Sequence, residues 1–200
     1  APAERHLYVA SGAAGKPAML GYTTTSLSKV FTYADPVAGA PDPLAGSLHL
    51  ALAPDGEHLL VAGNGGYLLR YRRDVFAGGL SFEQQLATDA SNPGLAGAAG
   101  IVVSSDGRHV LIASASTSTP PLTVYGRRAP DPRFAFVERD RQGDALAGGG
   151  TLPGLTAVSD VVVSADGEHV YAISLQDHTL VAFTRNSTKG LDPATAGQHL

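Results

Sequence analysis

A short pattern that recurs four times along the chain constrains its fold more than any other feature. Each copy starts with a histidine and continues as an apolar β-type run. The copies are His6–Ser11, His58–Gly63, His109–Ser114 and His169–Ser174, and they recur at intervals of 51 to 60 residues. Self-similarity at a nearly fixed period is typical of repeat architectures, so we expect one supersecondary unit to occur four times.

Within each repeat the pattern predicts a small antiparallel sheet. An Asp-Gly pair precedes the histidine in the last three copies, at Asp55-Gly56, Asp106-Gly107 and Asp166-Gly167. Each pair follows an apolar run, and Asp-Gly between two β-type runs indicates a hairpin because glycine accepts the positive φ of a tight turn. A third run in every copy carries an aromatic residue, and a fainter fourth run follows it. The aromatic residues are Tyr22, Tyr71, Tyr125 and Phe183.

Four antiparallel strands in a unit of about 50 residues describe the blade of a β-propeller. The sequence therefore predicts an all-β chain, a β-propeller of four-stranded antiparallel blades, with about four blades and the first lacking its inner strand. We expect a single propeller domain with repeats near 1–45, 46–96, 97–150 and 151–200. A β-sandwich is the alternative, but it does not predict the same residues at a fixed period. The 24 Gly and 13 Pro among 200 residues suit short strands joined by many turns.

The last repeat resembles a known family. Residues 161–174 read Val-Val-Val-Ser-Ala-Asp-Gly-Glu-His-Val-Tyr-Ala-Ile-Ser, and residues 177–186 read Asp-His-Thr-Leu-Val-Ala-Phe-Thr-Arg-Asn. These segments resemble the blades of lactonase-like and Tyr-Val-Thr-Asn-repeat (YVTN) β-propellers. The resemblance covers most of the chain and is weakest before residue 50. It implies a propeller in a family that mixes sugar-lactone hydrolases with secreted repeat proteins of no assigned activity.

The repeats also predict an incomplete ring. The first copy starts at its second strand, because only five residues precede His6, and no strand is left over at the other end. Lactonase-like propellers usually have seven blades, which requires about 350 residues at about 50 per blade. The chain then forms a four-blade ring alone, joins further propeller sequence from a protein partner, or pairs with a second copy. An open ring exposes sheet edges and apolar blade faces, which favours association.

Three residues of different chemistry share one position on the predicted inner strands. Counting back six residues from each turn aspartate gives His49, Gly100 and Asp160. Inner-strand side chains can face the central channel of a propeller, where ligand-binding groups commonly lie. We therefore predict His49 and Asp160 as binding residues for a small-molecule ligand at the channel mouth. His49 is the candidate catalytic residue, acting as a general base with Asp160 as its orienting carboxylate or as a second binding group.

The family resemblance bears on this position. In lactonase members that resemble this chain, an inner strand begins with Pro-Arg-His, and the arginine and histidine are implicated at the active site. The matching triplet here is Ser47-Leu48-His49, so only the histidine carries over. We therefore predict a binding or assembly scaffold. The alternative is a lactone hydrolase that uses the channel-facing His49 and takes a cation for the oxyanion from absent blades.

Other repeated polar residues are expected to be structural. His6, His58, His109 and His169 occupy one position beside the turn, which indicates half-exposed turn packing rather than a single site. Arg73, Arg127 and Arg185 share the position two residues after the aromatic, where we expect solvated caps on outer strands.

Several classes of function are disfavoured. The chain has no cysteine, which removes thiolate chemistry, and no motif predicts a metal site or a cofactor. A net charge of −4 argues against nucleic acid. No apolar run approaches the ~18 residues of a membrane span. The start, Ala1-Pro2-Ala3-Glu4, is neither a signal peptide nor an initiator Met, and is typical of a processed end, so an extracytoplasmic (periplasmic or secreted) location is expected.

Overall fold

The computed structural model describes residues 6–11, 18–23, 29–33, 46, 48–128, 131–146, 149–188, 190–193 and 198–199. Its regular elements are all β-strands. In chain order they are β1 His6–Ser11, β2 Ala18–Thr23, β3 Lys29–Tyr33, β4 Leu48–Leu52, β5 His58–Gly63, β6 Tyr67–Arg73, β7 Leu80–Ala87, β8 Ala98–Val103, β9 His109–Ser114, β10 Leu122–Arg128, β11 Asp131–Asp140, β12 Asp160–Val163, β13 His169–Ser174, β14 Thr179–Asn186, β15 Gly190–Pro193 and β16 Gln198–His199. No helix long and apolar enough to cross a membrane occurs in these residues.

The strands form antiparallel meanders that follow the repeats. Their orders are β1-β2-β3, β4-β5-β6-β7, β8-β9-β10-β11 and β12-β13-β14-β15, and β16 also pairs with β14. We call these sheets blades 1 to 4. Blade 1 has three described strands, and the repeat aligns β1 with the second strand of the other blades. The predicted all-β propeller fold is confirmed.

The predicted Asp-Gly hairpins connect the first two strands of blades 2, 3 and 4. Gly56, Gly107 and Gly167 have φ angles of 69°, 67° and 76°, the left-handed values that a tight turn needs. The turn aspartates fix these hairpins by accepting hydrogen bonds from the backbone N–H groups that follow. Oδ1 of Asp55, for example, accepts the N–H of Glu57 at 2.9 Å.

The blades stack face to face in chain order. The inner strand β8 lies beside both β4 and β12. Apolar side chains from facing sheets fill the space between blades 2 and 3, including Leu60, Leu68, Val110, Ile112 and Tyr125. Between blades 3 and 4 they include Leu111, Leu122, Val124, Val170 and Phe183. Each fully buried side chain of this kind contributes about 1.5–3 kcal/mol.

The outer face of blade 1 is exposed among the described residues. Leu7 and Val9 are 45% and 40% exposed, whereas Leu59 and Val61, at the same positions of blade 2, are 2% and 1% exposed. The next residues along β1, Tyr8 and Ala10, point the other way and pack against blade 2. Each later blade uses the equivalent face to pack against the blade before it. In blade 1 this face is exposed to solvent.

The opposite face of blade 4 is partly exposed among the described residues. Leu180 is partly exposed, whereas Leu68 and Leu122 at the same position are 2% and 0% exposed. Tyr171 and Ile173 beside it are partly exposed too. At each end of the stack of described blades, an apolar face is therefore at least partly exposed to water. The equivalent faces of the inner blades are buried against their neighbours.

Candidate functional site

The three inner-strand positions predicted from the sequence, His49, Gly100 and Asp160, lie in a row on the neighbouring strands β4, β8 and β12. His49, Gly100 and Asp160 pair with Ala62, Ala113 and Ile173 on the second strand of their own blades. These are matching register positions. Because β8 lies between β4 and β12, Gly100 separates His49 from Asp160.

Asp160 lies directly against Gly100 of the preceding blade. A Cβ atom placed on Gly100 would lie 3.0 Å from Oδ1 of Asp160 and 3.5 Å from its Cα. Glycine therefore allows the two inner strands to approach at this point. Oδ1 also accepts the N–H of Val161 at 2.8 Å, which anchors the carboxylate while the residue stays exposed.

His49 is half-buried on β4 between Leu48 and Leu50. In the described part of the chain its imidazole has no hydrogen-bond or ion-pair partner, and no hydrogen bond joins it to Asp160. Inner strands β4, β8 and β12 contain no lysine or arginine. The row therefore offers one free imidazole and one anchored carboxylate, with no cation on these strands.

Open grooves occur elsewhere on the described surface. One of about 370 Å³ is lined by the loop Thr117–Thr119, Pro121 and the link residues Arg141, Gln142, Leu155 and Thr156. Another, of about 530 Å³, runs along the outer strand from Phe82 to Ala87 beside Arg133. Neither groove includes His49 or Asp160, so neither extends the inner-strand row.

A second polar system joins neighbouring blades at the Asp-Gly turns. Arg185 of blade 4 donates to both carboxylate oxygens of Asp106 in blade 3, at 3.3 and 3.0 Å. It also donates to Nδ1 of His109 at 3.0 Å and to the carbonyl of Gly167, in its own turn, at 2.6 Å. Its side chain is only 6% exposed. One guanidinium thus bridges the turns of two blades.

Blades 1 and 2 are joined in the same way. Arg73 donates to Nδ1 of His6 at 2.9 Å, to the hydroxyl of Tyr8 at 2.9 Å and to the carbonyl of Gly56 at 2.8 Å. Between blades 2 and 3 the contact of the repeated arginine with the turn is longer, although Arg70 of blade 2 donates to the carbonyl of Pro132 in blade 3 at 2.6 Å.

At that junction the repeated arginine, Arg127, lies 4.0 Å from Asp55. The imidazole there is bound from within its own blade, because Arg70 donates to Nε2 of His58 at 2.8 Å.

The expectation that the repeated arginines are solvated caps was wrong for Arg73 and Arg185. Counting along one strand places them at a strand end, but the adjacent blade covers that end and supplies their partners. The signal in the sequence was the joint repetition of Asp-Gly, histidine and an arginine two residues after the aromatic. The histidine position is likewise more buried than expected in blade 3, where His109 is 4% exposed.

Electrostatics at the link between blades 3 and 4 fit this bonding. Burial acts to raise the pKa of Asp106, but hydrogen bonds from Ser104, from the Arg108 N–H and from Arg185 outweigh it and lower the pKa to about 2. Burial lowers the pKa of His109, and the charge of Arg185 adds to this effect. The link therefore pairs a carboxylate and a neutral imidazole with one cation.

The turn of blade 4 brings three possible metal ligands together, although the sequence predicted no metal site. Ligand atoms of Asp166, Glu168 and His169 lie within 4.8 Å of one another. In blade 3, Asp106 occupies the position of Asp166 and His109 that of His169, and both bind Arg185. The cluster is therefore the blade 4 counterpart of an arginine-binding turn.

Comparison with known proteins identifies the fold. No family model and no curated protein matches the chain. Among solved structures, a candidate 6-phosphogluconolactonase from Bacteroides uniformis matches with a TM-score of 0.70 and 14% identity, over 98% of this chain and 52% of that one. The periplasmic gluconolactonase of Pseudomonas aeruginosa matches with a TM-score of 0.61 and 21% identity, over 94% and 52%. Hydrazine synthase of Kuenenia stuttgartiensis matches with a TM-score of 0.59 and 13% identity, over 98% and 46%.

These likenesses define the class: the chain has the fold of the lactonase-like β-propellers. It spans about half the length of the solved structures it matches. Identities of 13 to 21% show the fold alone, and the hydrazine synthase match shows that the fold also occurs in proteins of other chemistry. Membership of the Tyr-Val-Thr-Asn-repeat group stays a prediction, since no family model matches.

Proposed function

We propose that this chain supplies the channel-side histidine of a sugar-lactone hydrolase of the lactonase-like propeller type. The observation that carries the proposal is His49, a half-buried imidazole without a partner among the described residues, on the inner strand β4. Two structures that share the fold are a gluconolactonase and a candidate 6-phosphogluconolactonase, which supports this chemistry over others.

His49 acts in this proposal as a general base. It takes a proton from water as the water oxygen attacks the lactone carbonyl carbon. The ring C–O bond then breaks, and the leaving alkoxide takes a proton to give the open hydroxy acid. Asp160, anchored through Oδ1, keeps Oδ2 available to accept hydrogen bonds from substrate hydroxyl groups.

Stabilisation of the oxyanion needs a donor that the row lacks. Leu48 stands where the resembling lactonases have arginine, and β4, β8 and β12 carry no cation. In this proposal further propeller sequence, completing the ring, supplies that donor. Slow turnover is therefore expected of the chain alone, and faster turnover of the completed ring.

Hydrolysis of δ-gluconolactone and 6-phosphogluconolactone tests the proposal, with acid release measured at constant pH. His49→Ala should lower kcat/KM about 100-fold, because general-base catalysis contributes about 10²–10⁴-fold. Asp160→Asn should raise KM several-fold with a smaller change in kcat. The matched control is His178→Asn: His178 is exposed, and its φ of 53° suits asparagine.

The control should retain the native rate. Turnover that survives His49→Ala unchanged contradicts the assignment of the base. Absence of turnover above the uncatalysed rate, in the chain and in a completed ring, contradicts the hydrolase.

A binding or assembly scaffold is the second candidate, favoured by the apolar faces that are exposed at Leu7 and partly exposed at Leu180. Its partner would be further propeller sequence or a second copy, with a small-molecule ligand at the channel mouth. Concentration-dependent association without lactone turnover would select this function. An extracytoplasmic location belongs to either proposal, supported by the periplasmic enzyme among the structural matches. The single domain with repeats near 1–45, 46–96, 97–150 and 151–200 also stays a prediction.

A further inference from the structure

The turn of blade 4 is built like the arginine-binding turn of blade 3. Ser104 donates its hydroxyl proton to Oδ1 of Asp106, and the Arg108 N–H donates to the same oxygen. In blade 4, the Ser164 hydroxyl and the Glu168 N–H make the same bonds to Oδ1 of Asp166. Both carboxylates are thus held in one orientation by the same local contacts.

The two turns differ in what lies in front of them. Asp106 and His109 bind Arg185, whereas no arginine contacts Asp166 or His169 in the described part of the chain. The charge of the blade 4 turn is also more negative, because Glu168 replaces Arg108. Both Asp166 and Glu168 are exposed.

The apolar face beside this turn is also partly exposed among the described residues. Tyr171, Ile173 and Leu180 are partly exposed, whereas the matching residues of blade 3 are fully buried against blade 4. Those matching residues are Leu111, Ala113 and Leu122, each 0% exposed. Blade 4 therefore carries both halves of a blade-to-blade contact, the apolar face and the acidic turn.

We propose that Asp166, His169 and the apolar face around Leu180 form the docking surface for a propeller blade supplied by a different sequence. That blade carries an arginine two residues after the aromatic residue of its third strand. The inference rests on the ring completion invoked in the proposed function, and it adds the chemistry of the partner. Charge complementarity supports it, because one guanidinium would face two carboxylates and an imidazole.

A second copy of this chain lacks the required arginine. Its free surface is blade 1, where Thr23 pairs with His6 as Thr184 pairs with His169 and Gly126 with His109. The residue that follows is Arg185 in blade 4 and Arg127 in blade 3, but Thr24 in blade 1. Thr24 lies outside the described residues, and the sequence alone shows that a second copy has threonine, not arginine, at the position that Arg185 occupies in blade 4.

This difference allows a gain-of-function test with the chain as probe. Thr24→Arg gives a second copy the missing arginine, so we expect its self-association, measured by sedimentation equilibrium at low salt, to tighten at least tenfold relative to the native chain. Asp166→Asn in the same chain should abolish the gain. Thr24→Lys should give a smaller gain, because an ammonium ion lacks the paired donors of a guanidinium.

The control for Asp166→Asn is Asp89→Asn, since Asp89 also accepts two backbone N–H groups through Oδ1 but lies outside the turn. It should leave the gain intact. The inference is overturned if Thr24→Arg changes nothing, or if its gain survives Asp166→Asn. A tight native dimer that is insensitive to Asp166→Asn makes a second copy the occupant and also overturns it.

Two further readouts separate the alternatives. Zn²⁺ or Ca²⁺ binding in titration calorimetry that is lost in Asp166→Asn, without any effect of Thr24→Arg on association, identifies a metal site and contradicts arginine docking. Association does not depend on lactone turnover. A variant that gains association therefore supports this inference whatever its turnover, whereas the proposed hydrolase is tested by the turnover of the chain and of a completed ring.

Discussion

Arg185→Ala should lower the free energy of unfolding by about 3 kcal/mol, because it breaks a buried link and leaves a partly buried carboxylate without its cation. The guanidinium makes hydrogen bonds to Asp106, His109 and the Gly167 carbonyl, and its side chain is 6% exposed. Urea denaturation at neutral pH measures the change. The loss is expected even though the substitution touches only the contact between blades 3 and 4.

Arg72→Ala is the matched control for Arg185→Ala. Arg72 is 64% exposed and lies 3.9 Å from Glu57, so its loss should cost less than about 0.5 kcal/mol. The dependence of the free energy of unfolding on pH in acid solution, here called the acid limb, gives a second check. The pKa of Asp106 falls from 3.8 to about 2 in the folded chain, so its stabilisation is complete above about pH 4 and disappears as the pH falls to about 2.

That acid dependence should flatten in Arg185→Ala, because Asp106 then loses one of the donors that lower its pKa. Equal losses for Arg185→Ala and Arg72→Ala, or an unchanged acid limb, would contradict the link between blades 3 and 4.

Leu122→Ala should cost about 3 kcal/mol, and Leu180→Ala only about 1 kcal/mol, although the two leucines occupy the same position in successive blades. Leu122 is 0% exposed between blades 3 and 4, so truncation leaves a cavity. Leu180 is partly exposed on the free face of blade 4, so truncation removes less buried area. Thermal or urea unfolding of both variants measures the difference.

The same residue type at both positions cancels differences in side-chain size and β-propensity. Equal losses for Leu122→Ala and Leu180→Ala would mean that the free face of blade 4 is covered in solution.

The propeller fold was predictable because the information lies within each repeat. Asp-Gly turns, β-type runs and a period of 51 to 60 residues are local signals that each copy repeats. The same counting placed His49, Gly100 and Asp160 at one register position, which the strand pairing shows. It also put His49 and Asp160 two repeats apart, and β8 lies between their strands.

Contacts between blades were not predictable by the same reasoning. Arg185 and Asp106 are 79 residues apart, and only the stacking of blades 3 and 4 brings them together. A charged residue at the end of a single strand is expected to face water when no neighbouring blade is considered. The exposure of Leu7 was equally hidden, because its sequence environment resembles that of Leu59 and only the preceding blade differs.

Among the described residues the stack of blades is open: Leu7 and Val9 of blade 1 are exposed to water, and Leu180 of blade 4 is partly exposed. Thiol reactivity tests this most directly, since the chain has no cysteine of its own. In dilute solution, Leu7→Cys should react with an aromatic disulfide reagent at nearly the rate of the unfolded chain. Leu59→Cys, buried at the same position of blade 2, should react at least 100-fold more slowly. Equal protection of the two thiols would show that blade 1 is covered and would contradict the open stack.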